Sequence, residues 1–157
     1  MKVSRQISIN TSADKVWQIL GTNFNDVDQW ATRMLSAEGK DDLGSQGGRV
    51  VNTIEYGEAT ETLYQFDDKK RELAYNVQAA GMPPMISDVT TAWRVEPQGN
   101  DQSLVEITFA GTLSDESMSD MLQQRLGEGL DMLLPDLKHY AEHDQPSPNK
   151  LAQLAAK

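Results

Sequence analysis

The 157-residue sequence predicts an α+β fold in which a seven-stranded curved antiparallel sheet wraps around one long C-terminal helix, with two short helices after the first strand. Three observations carry that prediction. Short β-type runs separated by turn residues fill residues 33–113. A helical apolar stripe then starts at Met118. Nearly all the helical apolar surface lies in that terminal element, so a sheet of this size must curl around it for both to be buried, leaving room for a cavity between them.

The first strand covers residues 2–10, where Val3, Ile7 and Ile9 alternate with polar neighbours and Arg5 breaks the apolar set. Ser12 is a candidate N-cap, and Val16, Trp17, Ile19 and Leu20 give the next helix an apolar face that stops at Gly21. A second brief helix is expected from Asp26 to Trp30, capped by Asn25 or Asp26.

Six further strands centre on residues 34–37, 49–55, 59–66, 72–79, 86–95 and 104–113. Turn-forming stretches divide them, among them residues 44–48, Tyr56-Gly57, Asp67-Asp68, Gly81 to Pro84 and Pro97 to Asp101. Such short links make neighbouring strands antiparallel. Alternation points Leu73, Tyr75 and Val77 inward, with Val89, Thr91, Trp93 and Val95 on the next strand and Val105, Ile107 and Phe109 on the last. The run 59–66 is ambiguous, because Leu63 shares a face with Glu61 and Gln65 while Tyr64 and Phe66 fall on the other; Leu63 is taken as inward. In the final helix Met118, Leu122, Leu126, Gly129, Leu133, Leu137 and Tyr140 step by three or four. Pro135 is expected to kink or break it. Residues 1–143 thus form one domain, and 144–157 read as a flexible tail or a short added helix.

Composition narrows the function. Fourteen basic against 24 acidic residues give a formal charge of -10, which argues against binding nucleic acid or an anionic membrane. The absence of cysteine excludes disulfide scaffolds, thiol catalysis and cysteine metal sites. With no apolar leader and no run of 18 apolar residues, the chain is expected to be cytoplasmic and not inserted in a membrane, as a monomer or homodimer without cofactor or metal. His139-Tyr140-Ala141-Glu142-His143 spells the inverted zinc-peptidase signature, but at the polar end of a terminal helix it lacks a third protein ligand and a cleft; the histidines are expected to decorate the helix terminus. Gly44 to Gly48 has neither the lysine nor the strand-to-helix setting of a phosphate loop.

Several local patterns resemble one known family. They are Ser12-Ala13-Asp14-Lys15-Val16-Trp17, Phe24 followed by Trp30, Glu61-Thr62-Leu63 with Asp67 and Tyr75, Trp93-Arg94-Val95-Glu96-Pro97, and Gly129-Leu130 with Leu137-Lys138. In order and spacing they are similar to the START-like (SRPBCC) superfamily and its bacterial polyketide cyclase/dehydrase-like branch. That resemblance covers about residues 2–143 and implies a helix-grip fold. The chain departs from it at Ala31-Thr32, where relatives often have His-Pro, and at Val51, where many have arginine. The resemblance implies binding of a small or medium hydrophobic molecule, with or without polyketide cyclase/dehydrase-like activity. The alternative it implies is a non-catalytic interaction or stress-response domain like the Hsp90-activator relatives.

On that reading Glu61 is the candidate acid or base and Tyr75 a hydrogen-bond donor to a ligand oxygen. The competing reading pairs Glu61 with a basic residue such as Arg49 and leaves Tyr75 in the core. Leu63, Val77, Trp93, Met121 and Arg125 are expected to line or flank the cavity. Trp30 is a further candidate contact, although Trp30 and Trp93 alike are more often core than ligand contacts. Met82 and Met85, flexible thioethers beside Pro83-Pro84, either guard the entrance or plug it.

Overall fold

The computed structural model describes residues 1–156; Lys157, the last residue of the expected tail, lies outside the described residues. Strand β1 (Lys2–Ile9) leads into α1 (Ala13–Trp17), whose Ser12 cap accepts the Lys15 N–H. The chain continues through one π-helical turn (Gln18–Thr22) and a 3₁₀ segment (Phe24–Gln29), so the first short helix is α only up to Trp17 and the second is wound tighter, as 3₁₀. Then come β2 (Met34–Lys40), β3 (Gly48–Thr53), β4 (Gly57–Asp67), β5 (Glu72–Ala79), β6 (Ile86–Pro97) and β7 (Ser103–Leu113). A 3₁₀ turn (Glu116–Met118) opens into α2 (Ser119–His143), followed by α3 (Pro148–Ala155).

The seven strands make one antiparallel sheet in the order β1-β7-β6-β5-β4-β3-β2. Its inner face packs on α2, with Val105, Ile107 and Leu137 almost fully buried. Each such side chain contributes about 1.5–3 kcal/mol of burial. Pro135 does not break α2, which runs on to His143 and stops where Asp144 turns left-handed at φ 56°.

Two local irregularities place the site. A bulge at Tyr64 sets Leu63 opposite Tyr75 and Phe66 opposite Leu73, so Leu63 and Phe66 both face inward despite their odd spacing. Pairing of β5 with β6 ends at Asn76 and Thr90; beyond it a bulge between Ser87 and Thr90 holds Asp88 at φ 51°, and the two strands separate.

Within the expected tail, residues 148–155 form α3. Ser147 caps α3 by accepting the Lys150 N–H, and donates its hydroxyl proton to Asp136 Oδ1 at 2.6 Å. Lys150 is fully buried: its Nζ donates to the Met34 carbonyl at 2.9 Å and to Gln153 Oε1 at 2.6 Å. Gln153 Nε2 in turn donates to the Thr32 carbonyl at 2.6 Å. The helix therefore exchanges water for specific backbone acceptors of the segment that leads into β2.

Candidate functional site

Between the inner sheet face and α2 lies a cavity of about 90 Å³. Its apolar wall comes from Ala59 and Val77 of the sheet, Ile107 and Phe109 of β7, and Leu126, Leu130 and Leu133 of α2. Met82 from the β5–β6 loop closes one side. The polar groups reaching it are Arg33, Thr53, Tyr56, Glu61, Tyr75 and Thr91.

Glu61 does not stand alone. The Arg49 Nε donates to Glu61 Oε1 at 2.6 Å, and both side chains are about 95% buried. The Arg49 Nη1 also donates to the Phe24 carbonyl, and its guanidinium carbon lies 3.7 Å from the Phe24 ring centroid and 5.3 Å from that of Tyr75. Pairing of Glu61 with Arg49 is thus the arrangement present. Val51 is plain core, and the buried arginine of β3 is Arg49.

Tyr75 packs edge-on against Phe24, and its hydroxyl accepts from the indole N–H of Trp93 at 3.3 Å. Burial first, then the Glu61 carboxylate, push the Tyr75 phenol up to about 12, against smaller opposing effects of Arg49, Trp93 and Thr91. At neutral pH Tyr75 keeps its proton and is available as a donor.

Glu61, Tyr75, Val77 and Met82 are therefore brought together, and the other candidates are not. Trp30 and Trp93 pack around Arg49 with Leu20, Phe24 and Val27, because the 3₁₀ segment tucks its aromatic end into the core. Leu63 lies with Phe66 beside a separate groove bordered by Gly21 and Asn25. Met85 gives its carbonyl to the Ser114 N–H and is absent from the cavity wall. Met121 is 48% exposed and is not part of the cavity wall. Arg125, also on the exposed side, contributes only its charge, which pulls the Tyr56 phenol down.

Sequence reasoning missed Arg33. It sits in the turn before β2, lines the cavity, and pairs with Glu55 through Nη2. Gly129 of α2 makes room for it: a Cβ there would lie 2.2 Å from Arg33 Nη1. Tyr56 stands in the same charged group; burial and Glu55 push its phenol up while Arg33 and Arg125 pull it down. The available signal was Gly129 itself, a glycine inside an otherwise apolar helical stripe.

A shallow outer groove of about 540 Å³ lies where β5 and β6 separate, bordered by Pro83, Ile86 and Val89. It shares Val77, Ala79 and Met82 with the inner cavity.

The histidine motif carries other duties. The rings of His139 and His143 lie tilted by 40° to each other, with centroids 4.5 Å apart. Glu142 accepts from Lys138 Nζ at 2.5 Å and from the Asn10 N–H at 2.7 Å; burial pushes its carboxyl up, but these bonds hold it below the usual carboxylate range. Among the described residues no group of three or more potential ligands is placed to hold a metal ion, and no helix is long and apolar enough to cross a membrane.

The sequence profile of the family described as polyketide cyclase / dehydrase and lipid transport matches residues 1–142. Among solved structures, a START superfamily protein from Mycobacterium smegmatis superposes with a TM-score of 0.73 at 15% identity, covering 92% of this chain and 99% of that one. The protein XoxI from Bacillus cereus gives 0.71 at 23% identity, covering 88% and 93%. The di-domain ARO/CYC BexL from the BE-7585A biosynthetic pathway gives 0.76 at 14% identity, covering 88% of this chain and 45% of that one. At these identities the likeness establishes the fold alone. No curated protein sequence matches the chain.

Proposed function

The chain belongs to the polyketide cyclase / dehydrase and lipid transport family, and we propose that it binds a small, mainly apolar molecule between its sheet and α2. One observation carries this reading: an apolar cavity beneath the sheet has polar groups concentrated at identifiable points of its wall. At about 90 Å³ it is well below the roughly 300–1,000 Å³ of typical drug-sized sites. The resting cavity suits a fragment of a few heavy atoms. A longer guest must displace Met82, whose unbranched thioether has the rotational freedom to swing. Movement of Met82 toward the outer groove would join the two spaces, which gives the β5–β6 separation its role as the entrance.

The polar residues then divide by task. Arg49 and Glu61 neutralise each other and hold β3, β4 and the Phe24 segment in register. Tyr75, accepting from Trp93, donates its proton to a ligand oxygen. Polyketide cyclase-like chemistry would use that donor to steady an enolate oxygen while the walls fold the chain and exclude water.

Native mass spectrometry of protein purified from its own cells tests the binding reading. The expected spectrum contains a protein species carrying one small molecule, which is released and extracted into organic solvent on denaturation. Protein of bare-chain mass alone, or a co-purifying protein with no small molecule, contradicts it.

A further inference from the structure

We propose that Arg33 is the recognition point for an acidic oxygen, so that the bound molecule is an amphipathic anion with an apolar tail and a carboxylate or similar head. This inference rests on the cavity being a ligand site. Its own support is the state of the guanidinium. Arg33 lines the cavity, yet its Nε–H is buried and has no hydrogen-bond acceptor among the described residues. Among the described residues only Nη2 is hydrogen-bonded, to Glu55. A buried charged donor without an acceptor is unfavourable, and an anionic oxygen on a ligand removes that penalty as it binds.

The surroundings favour this head group. The Arg33 side chain is 16% exposed and its Glu55 partner 35%, so Glu55 can turn to water and yield its place. Tyr56, next to Glu55 and also on the cavity wall, adds a phenol donor beside the guanidinium. The apolar surfaces of Val77, Phe109 and Leu130 accept the tail.

Arg33 is also held from both sides. The Thr32 N–H donates to Asp136 Oδ2 at 2.8 Å, and the Thr32 carbonyl accepts from Gln153. The Met34 carbonyl accepts from Lys150, and the Arg33 carbonyl accepts the Ile54 N–H at 3.0 Å. Gly129 lets the guanidinium lie close against α2. These contacts fix the backbone of a turn residue, so a ligand meets a preorganised cation and spends little binding energy on ordering it. They also give α3 a function, since Lys150 and Gln153 supply two of the clamps.

The test compares octanoate with 1-octanol at pH 7 by isothermal titration calorimetry, on the wild-type chain and on Arg33→Gln. Octanoate is expected to bind the wild type about tenfold or more tightly than the alcohol, and Arg33→Gln to lose that preference through weaker octanoate binding. Should Arg33→Gln not fold, Glu55→Gln serves instead; by freeing the guanidinium from its competitor it is expected to tighten octanoate binding severalfold. Equal wild-type affinity for the two probes overturns the head-group assignment while leaving the cavity reading intact. Binding of neither probe overturns both.

Discussion

Glu61→Ala is expected to destabilise the protein by about 3–5 kcal/mol in urea unfolding. The cause is what remains behind. Arg49 keeps its bond to the Phe24 carbonyl and its position against two aromatic rings, but its charge stays buried without a counter-ion. The double variant Arg49→Met/Glu61→Leu separates this cause from general core damage. Replacing both charges by apolar groups of similar size removes the desolvation penalty with the attraction, so the double variant is expected to be at least about 2 kcal/mol more stable than Glu61→Ala. A loss of only about 0–1 kcal/mol for Glu61→Ala, the value of an exposed pair, contradicts the buried-pair assignment.

Ala59→Phe is expected to weaken binding of 1-octanol by about a hundredfold or more, while costing about 1–3 kcal/mol of stability from overpacking. Ala59 is 3% exposed, lines the cavity and is flanked across the sheet by Val51 and Ala79, so its side chain has nowhere to go except into the empty space. The added phenyl ring occupies the volume in which an apolar guest would sit. Calorimetric titration together with an unfolding curve reads both effects; a variant that folds and still binds as the wild type does places the ligand elsewhere.

The sheet was legible because its turns are chemically marked. Asp67-Asp68-Lys69-Lys70 and Gly81-Met82-Pro83-Pro84 delimit β5 and the start of β6, and β5 spans residues 72–79 in both sequence and structure. Inward faces followed from alternation wherever alternation was unbroken. It failed at β4, since an inserted residue at Tyr64 reverses the phase and alternation alone could not show that Leu63 and Phe66 share a face. Helical spacing finds the α2 stripe but not its end use: it places Gly129 on the apolar surface, whereas the missing side chain there is what admits Arg33. Arg33 itself sits in a turn without periodicity, and its relation to Glu55 and the cavity is created only by folding. The end of the chain reads as either a tail or a short added helix for a similar reason. Lys150 gives the impression of a solvated residue until the Met34 carbonyl, 116 positions earlier, is placed beside it.

The most direct measurement is a ¹H–¹⁵N and methyl NMR titration of the uniformly labelled protein with 1-octanol. Saturable shifts concentrated at Ala59, Val77, Met82, Leu126 and Leu130 are predicted, with Met82 among the largest because it must move. Shifts confined to exposed residues such as Met121, Met132 and Leu151, or no saturable shifts at all, contradict a ligand site between sheet and helix.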